Sequence, residues 1–126
     1  MATGSNQTGK EAELSELLIT LGIPVNLSGY NYIRTAVIRY SEIVLQCRRV
    51  RITKDIYPWV ASQYGTTAQC VERSIRHAVG ISFDRGDLSV LHSIFGFTVD
   101  SCKGKPTNAE FIAMLAFRLS NKEQTA

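Results

Sequence analysis

Membrane segments, paired cysteines and targeting signals are all scarce or absent in this chain of 126 residues. No apolar run approaches the roughly 20 residues that a membrane-spanning helix needs. The cysteines at positions 47, 70 and 102 are odd in number and scattered, so they form neither a disulfide framework nor a CxxC motif. Residues 1–10 lack the basic-then-apolar order of a secretory signal. The sequence therefore predicts a protein of the reducing cytoplasm with no membrane partner.

Residues suited to catalysis are also few. The two histidines, His77 and His92, are not spaced with the cysteines as metal ligands would be. Cys70 and His77 are seven residues apart. On one helix that separation is a rise of roughly 10 Å, too far for a nucleophile–base hydrogen bond. No glycine-rich phosphate loop follows a strand. We therefore expect no enzyme, no cofactor and no metal site.

The content of hydrophobic residues and the distribution of positive charge both bear on the fold and on the partner of the chain. Hydrophobic residues make up 44% of the chain, which excludes a disordered protein and supports one core. The net charge of +3 comes from residues 47–86, where seven Lys and Arg stand against three Asp and Glu. This concentration favours a polyanionic partner, although charge alone is equally consistent with a solvated basic surface.

Apolar residues at helical spacing predict an all-α fold of about six helices. Residues 1–13 are expected to form a flexible lead-in or linker remnant, residues 14–120 the domain, and residues 121–126 a flexible tail. Capping-box patterns at residues 66–69 and 107–110 mark two helix starts. The helices are predicted over residues 11–21, 30–45, 55–64, 67–84, 88–95 and 108–120. Their predicted buried residues include Ile33, Ala36, Val37, Tyr40, Val44, Val60, Tyr64, Val71, Ile75, Ala78, Val79, Phe83, Phe111, Ile112, Leu115, Ala116 and Leu119.

Ala61, Gly65 and Val71 have the spacing of a helix-turn-helix. A small residue lets the two helices approach, glycine adopts the positive φ of the tight turn, and a branched apolar residue packs the second helix on the first. This spacing is common by chance. Here a helix break precedes it, a capping-box pattern lies inside it, and the second helix is basic. Residues 67–84 are therefore predicted to form a DNA-recognition helix.

Five polar residues lie on the face of that helix opposite its apolar stripe. Gln69, Glu72 and Arg73 are residue types that hydrogen-bond base edges in the major groove. Arg76 and His77, farther along the helix, are better placed for phosphates. A simpler interpretation stays open: Glu72 and Arg76 can be an i, i+4 pair on a solvated face, Gln69 can serve the cap, and His77 can be an ordinary boundary histidine.

Basic residues outside this helix are further candidates. Lys103 and Lys105 directly precede a capped helix start, where backbone N–H groups favour a phosphate. Four cations within residues 48–54 could also reach a DNA backbone, and the pattern leaves that open.

Three strings are the most informative: GYNYIR at residues 29–34, VERSIRHA at residues 71–78 and KPTNAEFIA at residues 105–113. Over about residues 14–119 the chain resembles the C-terminal DNA-binding effector domains of stage zero sporulation protein A. That protein is the response regulator that commits endospore-forming Firmicutes to sporulation. The resemblance implies a six-helix domain that binds a TGTCGAA-like box of double-stranded DNA and regulates transcription as an activator or a repressor.

The resemblance also implies roles for single residues. Glu72 and Arg73 would contact bases, Arg76 and His77 the DNA backbone, and Lys105 would support them from outside the recognition helix. Family domains bind tandem boxes head to tail, so a homodimer on DNA is expected.

Family domains also contact an RNA polymerase sigma factor. The loop around Phe95 and Val99 resembles the surface that makes this contact, whereas the residues alone would place both side chains in the core.

The chain departs from the family in three ways. Cys70 replaces a usual DNA-contacting arginine, which could cost about 1–3 kcal/mol and loosen specificity at one base position. The arginines at residues 48–51 are unusual there, and could restore non-specific affinity by neutralising phosphates. A receiver domain does not fit before Leu14, so the chain is expected to be either an excised effector domain or a stand-alone relative, and the linker-like lead-in favours excision. The alternative function is a protein-interaction paralogue that dimerises or binds a sigma factor but has weakened DNA binding.

Overall fold

A computed structural model describes the backbone of residues 2–86, 88–95 and 105–125, and the side chains of residues 9–86, 89–94 and 105–120. Regular structure in these ranges is helical, which confirms the all-α prediction. No helix among the described residues is long and apolar enough to cross a membrane. The elements are α1 (Ala2–Thr20), α2 (Ser28–Leu45), a π-helical turn (Ile52–Ile56), α3 (Tyr57–Tyr64), α4 (Ala68–Arg85), α5 (Leu88–Phe95) and α6 (Asn108–Thr125).

The central helix of the core is α2, which packs against α1, α3, α4 and α6. Its apolar stripe includes Ile33 and Val37, both fully buried. Val71 and Ile75 of α4 and Phe111 of α6 are fully buried against the same core. Burying each such side chain contributes roughly 1.5–3 kcal/mol. One face of α4 is thereby fixed in the core while the opposite face stays in solvent.

The backbones of α2 and α4 approach closely at Gly29. A Cβ atom on Gly29 would lie 2.5 Å from the Ser74 carbonyl oxygen and 2.7 Å from the Ala78 Cβ. Any larger side chain at position 29 would therefore push the two helices apart. This contact sets the distance of α4 from the central helix.

A hydrogen bond joins the C-terminal end of α4 to the chain at the end of α1. The buried Ser82 hydroxyl donates a hydrogen bond of 2.7 Å to the Leu21 carbonyl oxygen. Gly22 follows with φ +84°, a left-handed conformation that glycine adopts without strain. Gly86 packs closely against the same carbonyl group. A Cβ atom at position 86 would lie 2.6 Å from the Leu21 oxygen and would collide with it.

The start of α4 differs by one residue from the predicted capping box at residues 66–69. Thr67 is the N-cap, and its Oγ accepts a hydrogen bond of 3.1 Å from the Cys70 N–H. Thr66 belongs instead to the end of α3, because its N–H donates to the Ala61 carbonyl oxygen at 3.0 Å. The prediction of a box between Thr66 and Gln69 is therefore wrong, and a single capping bond replaces it.

The second capping box is confirmed in full. The Glu110 N–H donates to the Thr107 hydroxyl at 3.2 Å, and the Thr107 N–H donates to the Glu110 carboxylate at 2.8 Å. Both groups thus satisfy donors at the start of α6. This end of α6 forms one wall of the site described below.

Helix boundaries and two side chains also differ from the predictions. Helix α1 begins at Ala2 rather than Glu11, and α6 extends to Thr125 rather than Ser120, because no proline interrupts either end. The division into lead-in, domain and tail stays a prediction. Val44 is 49% exposed and Ile43 takes the buried position instead. The apolar stripe of α2 is therefore shifted by one residue at its end.

Tyr64 was predicted to fill the inner face of α3 but is 41% exposed. Its ring packs edge-on against Tyr32 at 5.2 Å between centroids. Its hydroxyl lies 2.7 Å from the Thr35 hydroxyl. The Tyr64 hydroxyl needs a polar partner, and it has one at the protein surface in Thr35. The side chain therefore stays at the surface rather than in the core.

Candidate nucleic-acid interface

Helices α3 and α4 pack against each other around the predicted turn. Ala61 is 5% exposed and Val71 is fully buried. Gly65 ends α3 with φ +65° and ψ +39°, the left-handed conformation that the spacing predicted. The three residues thus have the burial and backbone geometry that a helix-turn-helix requires.

The outer face of α4 carries the predicted DNA-contacting residues. Gln69, Arg73, Arg76 and His77 are exposed, whereas Glu72 is half-buried. Gln69 and Arg73 lie in the N-terminal half of the helix, the part that contacts base edges in helix-turn-helix proteins. Arg76 and His77 follow nearer the middle. The fold therefore leaves this set of side chains accessible on one surface.

Glu72 and Arg76 form the i, i+4 ion pair that the simpler interpretation predicts. The Glu72 Oε2 lies 3.4 Å from the Arg76 Nη2. Within the described part of the chain this buried oxygen accepts no hydrogen bond, so the contact is electrostatic. An i, i+4 pair of this kind contributes only about 0.3–0.5 kcal/mol. The Arg76 side chain is 67% exposed, so its guanidinium group is also accessible to a ligand from solvent.

The middle of α4 is attached to α6 and α3 through one amide. The Asn108 Nδ2 donates to the Glu72 carbonyl oxygen at 3.1 Å and to the Tyr57 hydroxyl at 3.0 Å. Burial raises the pKa of the Tyr57 phenol above its usual value, and the bond from Asn108 partly opposes that shift. The Tyr57 phenol is therefore protonated at neutral pH, and its oxygen accepts the hydrogen bond that holds the Asn108 amide in place.

A groove of about 440 Å³ lies between the π-helical turn, α4 and the start of α6. Arg76 and Lys105 both line it, together with Thr53 of the π-helical turn. The Lys105 Nζ lies 3.5 Å from the Asp84 Oδ1, so this lysine lies along the C-terminal half of α4. The structure thus brings together two of the predicted phosphate-binding cations, although they are far apart in sequence.

Arginine side chains at residues 48, 49 and 51 surround a second concave surface of about 550 Å³. It lies between α2 and the π-helical turn. Among the described residues, no group of three or more His, Cys, Asp or Glu is arranged to hold a metal ion.

A family model for the C-terminal domain of sporulation initiation factor Spo0A matches residues 14–119. The chain belongs to this family. Spo0A C-terminal domains are DNA-binding effector domains that regulate transcription in sporulation, and the family is not one of enzymes. The helix-turn-helix geometry of α3 and α4 agrees with that assignment.

Three of the predicted site residues have no described side chain. Lys103 and Val99 lie outside the described residues, and α5 ends at Phe95, whose side chain is not described. Lys105, the other predicted lysine before α6, is exposed and forms an ion pair with Asp84. The Thr107 and Glu110 N–H groups at the start of α6 take part in the capping box.

Sequence reasoning missed Asn108 and Tyr57 as residues that hold α4 in place. Asn108 follows Thr107 in a capping box, so local pattern explains it as an ordinary first residue of a helix. Its bonds to Glu72 and Tyr57 cross 36 and 51 residues of sequence. No signal within one helix could have revealed them.

Proposed function

We propose that the chain is a sequence-specific regulator of sporulation initiation that inserts α4 into the major groove of a TGTCGAA-like box. The observation that carries this proposal is the division of α4 into two faces. Val71 and Ile75 are fully buried while Gln69 and Arg73 are exposed in the N-terminal half. A recognition helix needs this arrangement, because the core must orient it while its first turns reach the bases.

Base contacts come from Gln69, Glu72 and Arg73 in this proposal. Arginine binds guanine O6 and N7 bidentately, glutamate accepts from cytosine N4, and glutamine can pair with adenine. Glu72 becomes available when Arg76 leaves it for a phosphate, since the two are paired in the free protein. Base and backbone contacts would then form together.

Backbone contacts come from Arg76, His77 and Lys105, with Lys103 beside them. Arg76 and Lys105 line one groove next to α4, which supports phosphate binding along this edge. Two copies would bind tandem boxes head to tail. A sigma factor would contact the region of Phe95 and Val99, a proposal supported by the family resemblance.

Fluorescence anisotropy tests the proposal. A labelled duplex with tandem TGTCGAA-like boxes is compared with a scrambled duplex over a salt series, for the wild type, Arg73→Ala and Arg118→Ala. Arg118 is an exposed arginine of α6 beside Glu13 and Glu16 of α1, so it serves as the matched control. Preference for the boxes should collapse in Arg73→Ala, by about 1–3 kcal/mol, and persist in Arg118→Ala. Equal preference in all three proteins would refute the role of α4.

The second candidate is a protein-interaction paralogue that dimerises or binds a sigma factor. Cys70 favours it, because an exposed cysteine stands on α4 where the resemblance implies a positively charged arginine. This candidate predicts no salt-dependent DNA binding, since that dependence comes from phosphate neutralisation. Sedimentation of the free protein, with and without a purified sigma factor, would then show the complex that the DNA assay lacks.

A further inference from the structure

Three arginine residues line one surface where the chain passes from α2 to the π-helical turn. Arg48, Arg49 and Arg51 are exposed and line one concave surface of about 550 Å³. Lys54 adds a fourth cation before the first acid, Asp55. This segment therefore attracts a ligand that carries several negative charges.

The charges of this arginine cluster are only partly neutralised within the described residues. The Asp55 Oδ2 lies 3.8 Å from the Arg51 Nε, but it also accepts a hydrogen bond of 2.9 Å from the Arg51 backbone N–H. Arg48 donates to the neutral amide oxygen of Gln46 at 3.4 Å. The one carboxylate of this segment that forms an ion pair with the cluster thus contacts Arg51 and also serves the start of the π-helical turn. The excess positive charge fits a ligand with several negative charges in a row.

The arginine cluster lies close in the chain to the groove beside α4. Thr53 lines the same groove as Arg76 and Lys105. Arg51 precedes Thr53 by two residues, so their Cα atoms are at most about 7 Å apart. A duplex held along that groove would therefore pass near the arginine cluster.

We propose that Arg48, Arg49 and Arg51 form a second DNA-binding site, which holds backbone phosphates of the duplex beside the box contacted by α4. The inference rests on the proposed function, since it places the cluster relative to DNA bound by that helix. Each strand carries one phosphate per 3.4 Å or so of helix axis, a repeat that several guanidinium groups can match. Arginine suits the role because its planar fork binds phosphate bidentately. The site adds affinity without base specificity.

The test compares two duplexes, one with the box alone and one extended on each side by about 10 base pairs, one helical turn. The proteins are the wild type, the triple variant Arg48→Gln/Arg49→Gln/Arg51→Gln, the single variant Arg49→Gln and the control Arg118→Gln. Binding is measured by anisotropy over a salt series, and circular dichroism verifies the fold. The single variant keeps the test decisive if the triple variant does not fold.

The wild type should bind the extended duplex more tightly than the short one, and the triple variant should lose this gain. The slope of log K against log salt should fall by about 0.9 for each phosphate contact removed. For Arg49→Gln that is about 0.9, while Arg118→Gln should keep the wild-type slope. Wild-type slopes and an intact gain in both cluster variants would overturn the inference, and would leave an acidic protein surface as the partner of the cluster.

Arg73→Ala, measured in the same series, separates this inference from the proposed function. Loss of box preference in Arg73→Ala with no effect of the cluster variants would keep the proposed function and reject the second site. The opposite result would keep the second site and reject α4 as the base-contacting helix. Absence of wild-type binding to both duplexes at low salt would reject both.

Discussion

The Asn108 side chain donates a hydrogen bond of 3.1 Å to the Glu72 carbonyl oxygen and so attaches the start of α6 to the middle of α4. The same amide nitrogen bonds the Tyr57 hydroxyl at 3.0 Å. Three helices of the domain therefore meet at one side chain. This contact supports the recognition helix from the side, next to the residues proposed to bind DNA.

Asn108→Ala should lower the free energy of unfolding by about 1–3 kcal/mol, because it leaves the buried Tyr57 hydroxyl without its donor. It should also weaken box binding, although Asn108 itself is proposed to contact no DNA, since α4 loses a lateral support. Urea denaturation and anisotropy measure the two effects. Asn26→Ala, an exposed asparagine between α1 and α2, is the control. Equal stability of the two variants would contradict the proposed role of Asn108.

The Tyr57 phenol should make the domain less stable in alkali. Burial raises its pKa in the folded state above the usual value of 10.0, so the unfolded chain loses this proton first as the pH rises. Its contribution to stability is fully present below about pH 10 and is lost as the pH rises through the folded-state pKa. Urea denaturation between about pH 8 and 11 should show a shallower decline in Tyr57→Phe than in the wild type. Identical declines would show that Tyr57 is not the group responsible.

Gly29→Ala should destabilise the domain by about 1–3 kcal/mol, as overpacked cores do. The added Cβ would meet the Ser74 carbonyl oxygen at 2.5 Å, and backbone atoms cannot move aside cheaply. Gly9→Ala is the matched control, because its Cβ would meet nothing within 4 Å and alanine favours a helix. Thermal unfolding of both variants measures the difference. A Gly29→Ala melting temperature equal to that of the wild type would show that α2 and α4 can separate freely.

Cys70 should report directly whether α4 enters a groove. Hydrogen bonding with the Thr66 side chain lowers the pKa of the Cys70 thiol, and Arg73 acts in the same direction. Its thiolate should therefore be alkylated readily near neutral pH. Bound box DNA should slow alkylation of Cys70 but not of Cys47, which is exposed at the end of α2. Mass spectrometry of modified peptides separates the sites, and equal rates with and without DNA would place α4 outside the complex.

Asp84→Asn should strengthen DNA binding by up to about fivefold, since an exposed ion pair is worth at most about 1 kcal/mol. The change frees Lys105, whose Nζ lies 3.5 Å from the Asp84 carboxylate. Lys105→Gln should instead weaken binding to all sequences and reduce the salt slope by about 1. Glu16→Gln removes an exposed carboxylate on α1 and controls for net charge. An equal gain in Glu16→Gln would show that Asp84 has no specific effect on Lys105.

Local patterns were sufficient for the helices and for the turn between α3 and α4. Gly65 has the positive φ that its place after a helical run predicts, and the box from Thr107 to Glu110 forms both of its bonds. The register at the start of α4 could not be predicted. Thr66 and Thr67 are equally good caps by residue type, and the choice is made by the Thr66 N–H bond to α3.

Contacts between segments that are far apart in the sequence were the part of the site that could not be predicted. Lys105 was predicted to bind phosphate, but its ion pair with Asp84 of α4 could not be predicted, because the two residues are far apart in the sequence. The groove shared by Arg76 and Thr53 exists only after the π-helical turn has packed beside α4. Periodicity predicts which face of a helix is buried, but it carries no information on which loop will lie beside the exposed face.

Helix α4 is held at three points: Ser74 against Gly29, Ser82 to Leu21, and the Glu72 carbonyl to Asn108. All three use backbone groups or inward-facing side chains of the helix. Outward side chains in its first turns are therefore free to vary without disturbing the scaffold. Cys70 is one such position, because its side chain is exposed. Under the proposed function, a new DNA specificity can therefore evolve by surface substitutions that leave the fold unchanged.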